Sequence, residues 1–452
     1  MTNETRVNVT QLIDERPIGR LQILVFVLCA TINLLDGMDT QSIGVAAPFI
    51  AAGLGLKVSE FGPIFSAALL GATLGAIGFG MLADRVGRKP LLVVSMVIIG
   101  VFTLLTAFAP SVTWLIAFRF LAGVGLGGAT PCFVALTSEY APARSRAAWT
   151  TLMWAGFPFG AMLGALLNSM VIADFGWRAI FYVGGVLPLL FAVVLVVWLP
   201  ESLKFLVGSP GRMPAARRVL RRMGVTNVGP NTMVYANDER VAKPSFRHVF
   251  TDGRVVGTLL LWVPFFMGFG ILTVSVLWTP TLLRMNGISP AATAFVVAFN
   301  GLGACIGQAS AGYLINRLGL VRTVVPAFVL GAAATVGLGY GASSVGLAAL
   351  FIGLNGLFIG FGAAGAIALA ALIYPTAVRS TGVGLGMAMG RFGQMIGPLV
   401  AGALLGYGWH ASQIMIVIGS GGLVAAVGIV LFKIWATRYD RGTPVPPPPL
   451  AV

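Results

Sequence analysis

The chain has 452 residues, 57% of them hydrophobic and only 10% charged, with a formal net charge of +15. Soluble domains average about 25% charged residues; so little charge cannot cover a water-facing surface of this size, which excludes a water-soluble enzyme and makes lipid the expected solvent. The basic residues sit between apolar runs rather than on one polar domain, which excludes nucleic-acid binding as the meaning of the charge.

In chain order, residues 1–20 are polar and mixed in charge. They lack the short apolar stretch and small-residue cleavage site of a secretory signal, so the first span is expected to remain and to target the chain. A helix needs about 20 apolar residues to cross the hydrocarbon core, and twelve such runs follow. Six occupy 21–49, 60–82, 90–109, 113–137, 147–171 and 178–199. Six more occupy 256–282, 291–315, 322–342, 345–372, 380–406 and 412–435. The predicted fold is an all-α polytopic membrane protein of twelve transmembrane helices. Its expected parts are an N-tail (1–20), a six-helix bundle (21–199), a central loop (200–255), a second six-helix bundle (256–435) and a C-tail (436–452) ending in a Pro-rich run.

An even number of spans puts both ends on one side, and lysine and arginine choose it. With the N-terminus inside, Lys57, Arg178 and Arg284 fall outside, and Arg119 and Arg391 fall within spans. All other lysines and arginines fall inside, Arg217, Arg218, Arg221 and Arg222 among them. Both tails and the central loop are therefore expected on the cytoplasmic side of the inner membrane. Cys29, Cys132 and Cys305 are isolated in apolar stretches, so neither a disulfide nor a zinc site is expected. With no HExxH or GxSxG either, no metal, cofactor or intramembrane hydrolase chemistry is expected.

Two loops repeat one pattern. Gly80, Asp84, Arg85 and Gly87, followed by Arg88 and Lys89, close span 2; Gly312, Asn316, Arg317 and Gly319 close span 8 at a constant offset. Glu139, Tyr140, Pro142 and Arg146 after span 4 are echoed by Tyr374, Pro375 and Arg379 after span 10. Two six-helix pseudo-repeats of the same orientation are implied, as in transporters built from parallel repeats. The loop Gly80-x-x-x-Asp84-Arg85-x-Gly87-Arg88-Lys89 resembles the signature of the major facilitator superfamily, as does Pro200-Glu201-Ser202 after span 6. An acid at Asp84 can pair with Arg88 or with the positive N-terminus of a nearby helix. Such pairs form in one conformation and break in another, so Gly80, Asp84, Arg85, Gly87, Arg88, Glu139, Arg146 and Arg317 are the expected conformational gate. A static loop that only sets topology is the simpler alternative.

Charges inside the spans carry the chemistry. A charge at the bilayer centre costs about 2.5–3.5 kcal/mol on insertion scales, yet span 1 holds Asp36 and Asp39 at i and i+3. Two buried carboxylates this close favour sharing a proton over carrying two charges, which suits a proton carrier; fixed partnership with arginines is the alternative. Asn33, Asp36 and Thr40 form a polar stripe expected to face a cavity. Arg119 and Arg391 cannot discharge themselves and need a carboxylate. Their planar fork suits a substrate carboxylate bidentately, so both are candidate substrate-binding residues; for Arg119 a structural or coupling pair with span 1 competes. His248 and His410 lie outside the spans, leaving proton work to carboxylates. Aromatic side chains such as Trp154, Phe157, Phe159, Trp262, Phe265, Phe266, Trp278 and Phe392 could line the path.

Asp36-Gly37-Met38-Asp39 with Ala46-Ala47-Pro48, and Tyr374-Pro375-Thr376 with Gly390-Arg391-Phe392-Gly393, resemble the aromatic acid:proton symporters of that superfamily. The resemblance implies import of a hydroxybenzoate-like acid with protons, by alternating access, driven by a proton gradient and without a cofactor. It places transport roles on Asp36, Asp39, Arg119 and Arg391. The implied partners are a small aromatic acid, protons and the lipid bilayer, with no obligate protein partner. Some members carry a histidine in the second half near the transport path, and this sequence has none in its spans. A proton-linked carrier of another organic anion, an aliphatic carboxylate, a sugar or a polyol is the alternative.

Overall fold

The computed structural model describes residues 6–209, 211–225, 232–235, 250, 254–374 and 379–442. Pro375, Thr376, His248 and the Pro-rich run of the C-tail lie outside them. Each apolar run becomes a helix, because backbone groups in lipid must be satisfied within the segment. The first half contains α1 (Val9–Glu15), α2 (Arg20–Leu54), α3 (Phe61–Val86), α4 (Arg88–Thr106), α5 (Val112–Tyr140), α6 (Arg146–Trp154), α7 (Gly156–Phe175) and α8 (Trp177–Trp198). Between the halves lie α9 (Leu203–Gly208) and α10 (Met213–Arg222). The second half contains α11 (Val255–Met285), α12 (Pro290–Leu318), α13 (Leu320–Gly341), α14 (Val345–Ile373), α15 (Arg379–Gly406) and α16 (Ala411–Gly442). Among the described residues eleven stretches are long and apolar enough to cross a membrane, α6 and α7 forming one of them. The twelfth expected span is α15, 28 residues long, rich in glycine and carrying Arg391. The predicted boundaries hold to within a few residues except in α16, which runs on to Gly442.

The halves repeat the same packing. In the first, α3 packs on α5, α4 on α5 and α8, and α2 on α7; in the second, α12 packs on α14, α13 on α14 and α16, and α11 on α15. Small residues let the helix backbones touch. A Cβ at Gly71 or Gly75 would run into the Phe120 or Val124 carbonyl, and one at Gly123 or Gly127 into Ala68 or Ala72. The equivalent positions of the second half behave alike: Gly303 and Gly307 meet Gly353 and Leu357, and Gly356 meets Asn300. The two loop glycines of the repeat, Gly87 (φ 107) and Gly319 (φ 88), both occupy the left-handed region. Their N–H groups close α3 and α12 on the carbonyls of Ala83 and Ile315 at 3.0 Å. Gly75→Val should therefore cost about 1–3 kcal/mol of stability by overpacking, read as a fall in melting temperature in detergent. Gly80→Ala should leave it unchanged, because a Cβ there meets only Pro131 at 3.8 Å. The signature's demand for glycine at position 80 is thus not exercised in this conformation.

The halves meet through α2 with α11, α3 with α15 and α7 with α12. Several of these contacts lie toward the end opposite the termini. A Cβ added at Gly44 would stand 3.1 Å from the Leu277 backbone, one at Gly62 3.1 Å from the Pro398 carbonyl, and one at Gly402 3.0 Å from the Ser59 carbonyl. Ser66 donates to the Met395 carbonyl at 2.7 Å and Gln41 to the Val276 carbonyl at 3.3 Å. Near mid-depth Cys305 Sγ approaches the Ala155 carbonyl at 3.7 Å. Nearer the termini, no hydrogen bond or ion pair joins the halves among the described residues. Among the described residues, the hydrogen bonds between the halves thus gather from mid-depth to the far end.

Beneath the first half, the N-tail is ordered by the chain that follows α10. Arg6–Asn8 (β1) pairs in parallel with Met233–Tyr235 (β2). Asn8 caps α1 through Thr10 N–H at 3.0 Å, and Val9 and Ile13 are buried against the bundle.

Candidate functional site

The two aspartates of α2 part company. Three residues apart, they lie about 60° apart around the helix. Asp39 turns into the first half, where Arg119 Nη2 of α5 meets its Oδ2 at 2.8 Å and Thr103 Oγ1 of α4 donates to its Oδ1 at 2.8 Å. The pair is dry, with side chains 1% and 3% exposed. Both Asp39 oxygens are bonded, whereas Nε and Nη1 of Arg119 are buried without an acceptor among the described residues. The pairing with span 1 is what forms, and its two unused donors keep further capacity for an anion.

Asp36 stays on the other side, half-buried, holding only the Thr40 hydroxyl at 3.4 Å. Its strongest charged neighbour is Arg391 of the opposite half, each side chain feeling the other's field. They are not in ion-pair contact, and Arg391 makes no hydrogen bond among the described residues. The face of α15 explains where Arg391 points. Arg391, Met395, Pro398 and Gly402 recur at intervals of four, three and four residues, one helical stripe. The last three touch α3 or the residues just before it, so Arg391 faces the other half further toward the open end. On the flank, Gly390 and Gly393 bring α15 against α11, with a Gly390 Cβ only 2.9 Å from the Phe269 ring. Phe269 stacks parallel to Phe265 at 6.1 Å between centroids. A guanidinium without a partner among the described residues thus stands on the face of α15 turned to the other half, with Phe269 packed on its flank within the second half.

Asn33 leaves the expected stripe. It is fully buried and donates to the carbonyls of Met153 and Trp154 at 2.8 and 3.4 Å, where the fifth span breaks into α6 and α7. Such a break frees carbonyls that a side chain must satisfy. The sequence signal is Gly156, Gly160 and Gly164, spaced by four: a Cβ at Gly160 would run into the Leu34 carbonyl, and α2 lies directly on α7. Of the aromatic residues expected along the path, Trp278 and Phe265 are fully buried, while Phe159 and Phe392 are exposed.

The gate cluster also differs from expectation. Asp84 is 81% exposed and only 3.7 Å from Arg88, whose closer partner is Glu139 at 3.0 Å. Ser202 Oγ donates a short hydrogen bond to Glu139. The helix N-terminus expected for Asp84 belongs instead to Glu201, whose Oε1 accepts the N–H groups of Arg88 (2.9 Å) and Lys89 (3.3 Å) at the start of α4. Tyr140 donates to the Glu201 carbonyl at 2.8 Å. Arg146 turns away from Glu139 toward Asp14 of α1 at 3.8 Å. Arg85 is exposed, and Arg317 donates to the Tyr313 hydroxyl at 2.9 Å. The structure thus brings together Arg88, Glu139, Glu201 and Ser202, with Asp84 on Arg88 at the exposed rim, and leaves Arg85 and Arg317 outside that cluster.

Two like halves of membrane-spanning helices, joined toward one end and carrying charged groups within their spans, define a membrane carrier. The chain belongs to the Major Facilitator Superfamily, whose sequence pattern matches residues 29–286 and 280–449. It is a multi-pass membrane transporter of a small molecule. Over 427 residues it is 34% identical to the 4-hydroxybenzoate transporter PcaK of Pseudomonas putida, covering 94% of this chain and 95% of that one. The gallate transporter of the same organism is 33% identical, with 94% of each chain covered. The 3-(3-hydroxy-phenyl)propionate transporter of Escherichia coli strain K12 is 35% identical, with 91% and 93% covered. Among solved structures, the partially occluded inward-open xylose transporter XylE from E. coli superposes with a TM-score of 0.71 at 19% identity, covering 92% of this chain and 98% of that one. That similarity is one of fold.

Proposed function

We propose that the protein imports a small aromatic carboxylate together with protons across the cytoplasmic membrane, its termini on the cytoplasmic side. The observation that carries this reading is Arg391, without a hydrogen bond among the described residues, on the face of α15 turned to the other half, with Phe269 packed one residue from it. A monoanionic aromatic acid needs one cation, an apolar wall and few other polar partners. Arg391 takes the carboxylate as a two-pronged donor. Asp36, unbonded except to Thr40, exchanges the proton, while Asp39 is committed to Arg119 and Thr103. The halves rock about the site, and the present conformation is the inward-facing one. The relatives named for hydroxybenzoate, gallate and hydroxyphenylpropionate support the substrate class.

The test is uptake of labelled 4-hydroxybenzoate by proteoliposomes in competition with benzoate, gallate, aliphatic acids and xylose. Inhibition by aromatic acids alone is expected; inhibition by xylose or aliphatic acids instead would overturn the substrate class. Arg391→Gln should raise the half-saturating concentration roughly 10- to 100-fold, the loss of charge-assisted hydrogen bonds, while Arg391→Lys should recover only part of it because the fork is gone.

A further inference from the structure

Buried polar atoms almost always have partners, and exceptions call for an explanation. Within seven residues of α11 there are four such exceptions: Ser275 Oγ, Trp278 Nε1, Thr279 Oγ1 and Thr281 Oγ1 are all buried with no partner among the described residues. They divide into two sets. Ser275 and Thr279, one turn apart, lie on one stripe, and Thr279 borders a small cavity lined by Leu338 of α13 and Met415 of α16, inside the second half. Trp278 instead crosses to the first half, its ring edge-on to Phe65 of α3 at 5.5 Å. Phe65 in turn packs on Phe61 at 5.8 Å. Leu277 lies against Gly44 of α2. Thr281 follows Leu277 by four and Trp278 by three, so it stands one turn beyond both contacts on the same seam.

The seam therefore holds an aromatic wall, two unspent donors and Gln41, which now donates to the Val276 carbonyl across it. Its side chains are dry and shut in this conformation. They part when the halves rock, because they belong to opposite halves.

We propose that this seam is an outer subsite for the aromatic carboxylate, formed when the far end opens. Phe65 and Trp278 take the ring between them, and Trp278 Nε1, Thr281 Oγ1 and the released Gln41 amide donate to carboxylate or ring oxygens. The subsite rests on the aromatic-acid reading above and lies closer to the far end than Arg391, so it serves solute arriving from outside and not solute arriving from the cytoplasm.

The experiment is counterflow of labelled 4-hydroxybenzoate in right-side-out and in everted membrane vesicles carrying the full chain. Trp278→Phe and Thr281→Val should each raise the half-saturating concentration at the outer face about three- to tenfold, the loss of one hydrogen bond, and leave the inner-face value unchanged. Thr281→Ser should restore the outer value. Ser275→Ala and Thr279→Val, which face the bundle interior, should change neither. Equal shifts at both faces, no shift at the outer face, or the same shift in the interior pair would overturn the subsite while leaving the substrate class intact. Absence of counterflow by the unmodified protein with every aromatic acid would overturn the substrate reading and the subsite with it.

Discussion

Asp36→Asn is expected to abolish accumulation while sparing exchange. With one proton moved per anion, an inward gradient of about one pH unit holds about a tenfold solute gradient. Asparagine keeps the shape and can still meet the Thr40 hydroxyl, but it carries no exchangeable carboxyl proton. The accumulation ratio should fall to about one, and counterflow should persist because the halves and Arg391 are untouched. Both are read with labelled substrate in the same proteoliposomes. Undiminished accumulation in Asp36→Asn at equal protein content would transfer the proton to another group, with Asp39 next in line.

Arg119→Ala should produce a large loss of stability in the first half. The pair with Asp39 is dry and three helices meet at it: α2 through Asp39, α4 through Thr103 and α5 through Arg119. Removing one partner of a buried ion pair leaves an uncompensated charge, at a cost of about 3–5 kcal/mol. The melting temperature in detergent should drop sharply. Asp39→Asn combined with Arg119→Gln should recover most of the loss, since two neutral groups of similar shape need no charge partner. A double variant no more stable than Arg119→Ala would mean that the pair contributes packing rather than charge compensation.

The contrast between these two aspartates marks how far the amino-acid sequence is legible. Span positions, the repeat and the rarity of intramembrane charge follow from composition and periodicity, so Asp36, Asp39, Arg119 and Arg391 stand out from the sequence alone. Which acid pairs with which arginine does not, because a spacing of three fixes only their angle around α2 and not the neighbours on each side. Thr103 carries no signal, being one hydroxyl among many in an apolar run. Glu201 stands in a recognisable Pro-Glu-Ser element, yet its hold on the start of α4 depends on how α8 ends beside Gly87. The signature loop makes Asp84 the expected gate acid. In this conformation it is exposed, and Glu139 from α5 has the better access to Arg88. The loop glycines show the same limit: Gly87 and Gly319 are required by their positive φ, whereas Gly80 has room to spare.

The most direct test is to record proton and solute movement together, with a pH-sensitive dye inside proteoliposomes and labelled 4-hydroxybenzoate outside, no gradient being imposed. Coupled import predicts that adding the anion acidifies the lumen, that the acidification scales with solute entry, and that Asp36→Asn removes it while counterflow continues. Solute entry by the unmodified protein without acidification would contradict proton coupling and leave Asp36 without the role assigned to it.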